Sequence, residues 1–159
     1  MSFLDIDERL LDIAPLIDLV YSPLVDTKEF PEDVDVVIIE GAVSNTEDLE
    51  KLYKVRSRSK ILVAMGDCAV TSNVPGMRNQ FTVEEVENRA YIENAQFNQQ
   101  IPMQVIPPLL PKTRPVHEYV KVDVFVPGCP PSAETIFFVL SELLAGRLPD
   151  LTQKTRFGA

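Results

Sequence analysis

No apolar run in this chain approaches the roughly 20 residues that a membrane-spanning helix needs, so no such span is expected. Met1-Ser2-Phe3-Leu4-Asp5 lacks the basic stretch that opens a secretory signal, so none is expected there either. Positive charge is in deficit: 15 lysines and arginines stand against 24 acids, for a formal net charge of -9. An acidic surface repels nucleic acid and anionic membranes, and neither is expected as a partner. There are two cysteines, too few for a disulfide framework, and with no signal visible the chain is expected to be cytoplasmic. No Cys-x-x-Cys pair and no paired histidine spacing are present, which removes a self-contained zinc site. Repeats and low-complexity tracts are also missing. What is there is ordinary: 159 residues, 45% hydrophobic and 25% charged, are the figures of one soluble globular domain, 1–159, with 150–159 as a tail.

Apolar positions then give the elements. Phe3, Leu4, Ile6, Leu10, Leu11 and Ile13 recur at helical spacing and predict a helix over 2–13. Residues 17–21 predict a short strand, and 22–33 a polar loop. The run Val34-Asp35-Val36-Val37-Ile38-Ile39-Glu40 predicts a buried strand. Asn45 or Thr46 then caps a helix through Arg56. Residues 60–65 form the next buried strand, followed by an irregular loop over 69–81. Thr82 to Glu85 is a capping box that opens a helix to about Asn94. Five prolines make 95–119 a long surface excursion. A strand at 120–126 and a helix from Ser132 to Ala145 close the pattern. Strands alternating with helices imply an α/β fold, a parallel sheet with helices on both faces.

That topology carries the functional expectation, because right-handed crossovers deliver every strand's C-terminal loop to one sheet edge, where such folds bind ligands. Three of these loops are unusual: Glu40-Gly41, Gly66-Asp67-Cys68 and Pro127-Gly128-Cys129. Either cysteine alone reads as a small buried hydrophobe. Together at one edge they read as thiolates for a soft metal, a redox dithiol or part of an iron–sulfur cluster. Glu40 is either a proton-path or interface group or a carboxylate satisfied by loop N–H groups. Asp67 is read as turn chemistry, and His117, the one histidine, as a surface or structural residue.

Two stretches also carry a resemblance. Gly66-Asp67-Cys68-Ala69-Val70-Thr71 with Asn73-Val74-Pro75-Gly76-Met77-Arg78-Asn79, and Val126 to Ser132, resemble the small subunit of cytoplasmic, bidirectional, NAD(P)-linked NiFe hydrogenases. Ile39-Glu40-Gly41-Ala42-Val43-Ser44-Asn45 is similar to a further motif of that family. The resemblance spans essentially the whole chain. It implies a flavodoxin-like domain and an electron-transfer role through a 4Fe–4S cluster. Cys68 and Cys129 would each supply one ligand, and Glu40 would lie near the cluster and the large-subunit interface. The implied partners are the Ni–Fe large subunit and diaphorase subunits carrying FMN and iron–sulfur clusters. A flavin on this subunit stays open.

One departure stands out. The family's first strand and the Cys-x-x-Cys loop after it, which supply the other two thiolates, precede the segment matching Met1 to Asp7. They are absent from these 159 residues. The expectation is therefore a native chain that starts upstream. The alternatives are the homologous cluster-bearing subunit of respiratory complex I and a cluster-less flavodoxin-like binding or assembly module.

Overall fold

The structure is a computed structural model that describes residues 4–23 and 25–155. Its centre is a parallel three-stranded sheet in the order β1 (Val34–Glu40), β3 (Ser59–Met65), β5 (Val124–Val126). Glu40 pairs with Met65, and Met65 with Val126, so the three strands end level with one another.

The strand period of two sorts the core into two layers. Val63 and Met65 join Val124 and Val126 on one face, where helix α6 (Ala133–Leu144) lays down Ile136 and Val139. Ile6, from the N-terminal segment, completes that layer. Leu62 and Ala64 point the other way, against Leu52 of α2 (Thr46–Ser57) and Ala69 and Val70 of α3 (Asp67–Thr71). Helices thus cover both faces, as the alternating pattern requires. Leu62, Val63 and Ala64 have no exposed surface at all, the mark of a strand buried on both sides.

Helix ends follow the local chemistry of the sequence. Asn45 is the α2 cap, its Oδ1 accepting from the Asp48 N–H at 2.8 Å. Thr82 and Glu85 form the full capping box of α5 (Val83–Asn88), which continues as a wide turn through Glu93. Ser132 caps α6 by accepting from the Thr135 N–H, an interaction that contributes about 1 kcal/mol. Gly146, at φ +72°, ends α6 with the paired bonds Gly146 N–H to Leu143 O and Arg147 N–H to Glu142 O.

Several segments differ from the sequence expectation. The helix over 2–13 is broken: a turn at Leu4–Ile6, a left-handed Asp7, then α1 (Arg9–Ile13). Its expected start at residues 2 and 3 lies outside the described residues. Residues 17–21 form no strand, because no neighbouring strand among the described residues pairs with them. The stretch after Cys68 is helical, not irregular: α3 is followed by α4 (Asn73–Gly76) and a turn at Met77–Gln80. Pro75 fits there because the first turn of a helix needs no N–H from it. Within 95–119 lies β4 (Leu109–Arg114), antiparallel to the unforeseen β2 (Val43–Asn45), and Thr113 and Val116 are fully buried. The part of the excursion near Phe97 and Met103, both 86% exposed, lies on the surface. The strand over 120–126 shortens to 124–126. Residues 151–155 dock on α6, with Leu151 against the first core layer and Lys154 O accepting from Thr135. Residues 156–159 lie outside the described part.

Asp123 shows why the last strand begins late. Its carboxylate accepts from Arg56 Nη1 at 2.7 Å and from the Leu62 N–H at 2.9 Å, tying β5, α2 and β3 together. Burial opposes its ionisation, but the Leu62 N–H and the Arg56 and Lys121 side chains outweigh it and hold its pKa below the usual carboxylate range. A lowered native pKa means that the group stabilises the fold above its unfolded pKa and loses that effect as pH falls through the native one. Asp123→Ala should therefore cost about 2–3 kcal/mol at neutral pH, because it leaves the half-buried Arg56 unpaired. The deficit should narrow on acidification below the carboxylate range, as thermal unfolding across pH would show.

Candidate functional site

At the C-terminal edge of the sheet the two cysteine loops meet. The parallel ladder runs to Met65 and Val126, and hydrogen bonding continues beyond both strands. The Gly66 N–H donates to Val126 O at 2.7 Å, and the Asp67 N–H to Gly128 O at 2.8 Å. The Asp67 side chain then returns the bond, its Oδ1 accepting from the Gly128 N–H at 2.7 Å. Cys68 follows Asp67 and Cys129 follows Gly128, so this bonding sets the two sulfurs on adjoining loops.

Each loop is anchored from beneath. Cys68 is the second residue of α3, whose Ala69 and Val70 are buried in the second core layer, and Cys68 itself is partly buried. Cys129 is exposed, while Pro127, Gly128 and Pro131 around it are buried. The Cys129–Pro130 peptide is cis. Gly128 is required by both conformation and space. Its φ is +137°, and a Cβ there would lie 2.6 Å from Pro131 Cα. Gly66, at φ +84°, lets β3 turn sharply into α3.

Glu40, the third expected participant, ends β1 level with Met65 and is exposed. It shares the edge, yet its carboxylate has no hydrogen-bond or ion-pair partner among the described residues. Loop N–H groups, one of the two expectations for this side chain, do not satisfy it. Gly41, at φ +82°, turns the chain away into β2. His117 sits apart, exposed, with its ring edge-on to Phe125 at 5.7 Å between centroids.

Two long-range polar contacts were not foreseen from sequence. Asp67 is more than turn chemistry, since its carboxylate bonds a loop 61 residues away. Its position beside one cysteine was visible, but its partner was not. Arg78 donates through Nη2 to Ser44 O and Leu110 O, joining β2 to β4. Only its place in a recognisable motif marked it.

The chemistry of this donor set is plain. Two thiols on adjoining loops suit a soft metal or an iron–sulfur cluster, and supply half of the four thiolates that a cubane takes as a rule. Among the described residues no group of three or more histidine, cysteine or acidic side chains is arranged to hold a metal ion. Cys68 and Cys129 could supply two of the thiolates that such a cluster takes.

The glycines give the sharpest local test. Gly128→Ala should cost more than about 3 kcal/mol, since strain and a backbone clash add. Gly41→Ala has a positive φ but nothing within 4 Å of the new Cβ, and should cost about 1 kcal/mol. Equal melting temperatures for the two variants would contradict this geometry.

The same architecture is found in known proteins. Residues 1–143 match the family described as NADH ubiquinone oxidoreductase, 20 Kd subunit. The chain is 41% identical over 156 residues to the NAD-reducing hydrogenase HoxS subunit delta of Cupriavidus necator, covering 95% of this chain and 75% of that one. It is 37% identical over 156 residues to a vhu subunit of the F420-non-reducing hydrogenase of Methanocaldococcus jannaschii, covering 97% of this chain and 54% of that one. The chain thus spans about half the length of that archaeal relative. In the crystal structure of an NAD+-reducing NiFe-hydrogenase in the H2-reduced state, one chain superposes with a TM-score of 0.92 at 39% identity. That superposition covers 99% of this chain and 90% of the other. With the match running across the sheet, both cysteine loops and α6, the chain belongs to the NADH ubiquinone oxidoreductase 20 Kd subunit family.

Proposed function

We propose that this chain is the electron-transfer subunit of an NAD(P)-linked NiFe hydrogenase. It would relay electrons between the Ni–Fe site of a large subunit and a diaphorase through a 4Fe–4S cluster. The observation that carries this reading is the hydrogen-bonded meeting of the Cys68 and Cys129 loops at the C-terminal edge of a parallel sheet. The similarity to hydrogenase subunits supports the choice of complex.

A bound cubane would supply one-electron transfer. This chain's own part is to hold and to shield. Cys68 and Cys129 would give two of the four thiolates that a cubane takes as a rule. The buried Pro127, Gly128 and Pro131 keep the Cys129 loop in one shape. Glu40, exposed and unpaired at the same edge, is suited to face the large subunit, as a proton-path or interface group. No described helix is long and apolar enough to cross a membrane, and a cytoplasmic complex is the location that goes with this reading. Alone the chain would have no hydrogenase activity, because it carries no ligand set for a Ni–Fe centre.

A second reading has one specific observation behind it: the family's description names NADH ubiquinone oxidoreductase. Copurification with a quinone-reducing membrane complex would establish that reading in place of the first.

The direct experiment is isolation of the native complex through this subunit, followed by iron analysis and EPR after reduction with H2. A cubane signal and H2-dependent reduction of NAD(P)+ are expected. Cys68→Ser or Cys129→Ser should lower the cluster content of the complex and cut electron delivery to the diaphorase at least about tenfold. Full iron content and an unchanged signal in both variants would remove the electron-transfer assignment.

A further inference from the structure

We propose that Asp67 is a positioning residue for the cluster, clasping Gly128 to fix the two cysteine loops and placing a negative charge beside both thiolates. The proposal rests on the cluster reading above and deepens it.

The geometry is that of a reciprocal pair. Asp67 and Gly128 exchange two bonds, backbone N–H to backbone O at 2.8 Å and backbone N–H to carboxylate at 2.7 Å. Each residue directly precedes a cysteine. A parallel ladder alone could not do this, since β3 and β5 end at Met65 and Val126 and Gly66 turns the chain away at φ +84°. The side chain replaces the rung that the backbone cannot make. An ionised acceptor makes that rung shorter and stronger than a neutral one.

Position also has an electrostatic consequence. The reduction potential of an iron–sulfur cluster depends on nearby charge and on hydrogen bonds donated to its sulfurs. By accepting from Gly128, Asp67 takes an amide donor next to Cys129 out of reach of any sulfur. Its carboxylate belongs to the residue before Cys68 and is bonded to the residue before Cys129. Both effects make the added electron less welcome and lower the potential. Groups around a metal site that orient its ligands in this way are part of how the site is tuned.

The two roles separate by substitution. Asp67→Asn keeps an oxygen for the Gly128 N–H and removes the charge, whereas Asp67→Ala removes both. In the intact complex, Asp67→Asn should retain full iron. Its cluster should be easier to reduce by about tenfold in the equilibrium constant, roughly 59 mV more positive for one electron in an EPR-monitored titration. Asp67→Ala should lose iron. Hydrogen exchange adds a readout that needs no cluster, because residues 127–131 carry amide hydrogens only at Gly128 and Cys129. Slow exchange is expected at Gly128, whose N–H is bonded, in the wild type and in Asp67→Asn, and faster exchange in Asp67→Ala.

An unchanged potential in Asp67→Asn, an assembled Asp67→Asn complex without iron, or fast exchange of the Gly128 amide in the wild type would each overturn the proposal. A wild-type complex with no cubane signal would instead count against the cluster reading. The clasp would then be judged by exchange alone.

Discussion

Parallel pairing of β1, β3 and β5 to a common end is the constraint on which the site depends. Parallel strands must each return by a crossover, so their C-terminal ends open onto a shared edge while both faces fill with helices. Glu40, the Cys68 loop and the Cys129 loop owe their proximity to this rule, although they are far apart in sequence. The hydrophobic effect supplies the energy: Leu62, Val63, Ala64 and Val126 are sealed from water, and the sheet is held from both sides. The edge itself carries little of that energy. It can therefore hold exposed and strained groups, such as Cys129 and Gly128, without endangering the fold.

Specificity at the edge comes from polar bonds, not packing. Gly66 and Asp67 bond Val126 and Gly128 across the gap, and Asp123 fixes the opposite end of the same pair of strands to Arg56 and Leu62. The β3–β5 pair is thus pinned at both ends by an aspartate. One carboxylate sits deep, where Arg56 and Lys121 compensate its burial. The other, Asp67, has no cation within ion-pair reach among the described residues, and so leaves its charge available to the site.

The parts legible in the sequence share one property: their signals are local. β1 and β3 announce themselves as unbroken apolar runs, and Asn45, Thr82 and Ser132 cap the helices that follow them by bonds spanning three residues. What was not legible depends on partners distant in the chain. β2 and β4 are strands only because each pairs with the other, and the proline-rich sequence around β4 hides its period. Residues 17–21 have strand character in composition, yet lack a neighbour among the described residues, and propensity alone does not make a ladder. The bond from Asp67 to Gly128 is of the same kind. Sequence placed Asp67 in a turn because its local chemistry fits one, while the bond that matters crosses 61 positions.

Fold alone does not separate the functions that this family hosts, since one architecture carries unrelated activities and function resides in particular side chains. The family's description names a quinone-reducing enzyme, and relatives of similar identity over nearly the whole chain are hydrogenase subunits. The fold that brings Cys68 and Cys129 together does not discriminate between these names. Groups that bear on a cluster without binding it are better placed to do so. Asp67 bonds the amide of the residue before Cys129, and Glu40 stands exposed at the same sheet edge with no bonding partner among the described residues. Substitution at such positions can shift local charge and bonding while leaving the two cysteines and the buried strands untouched.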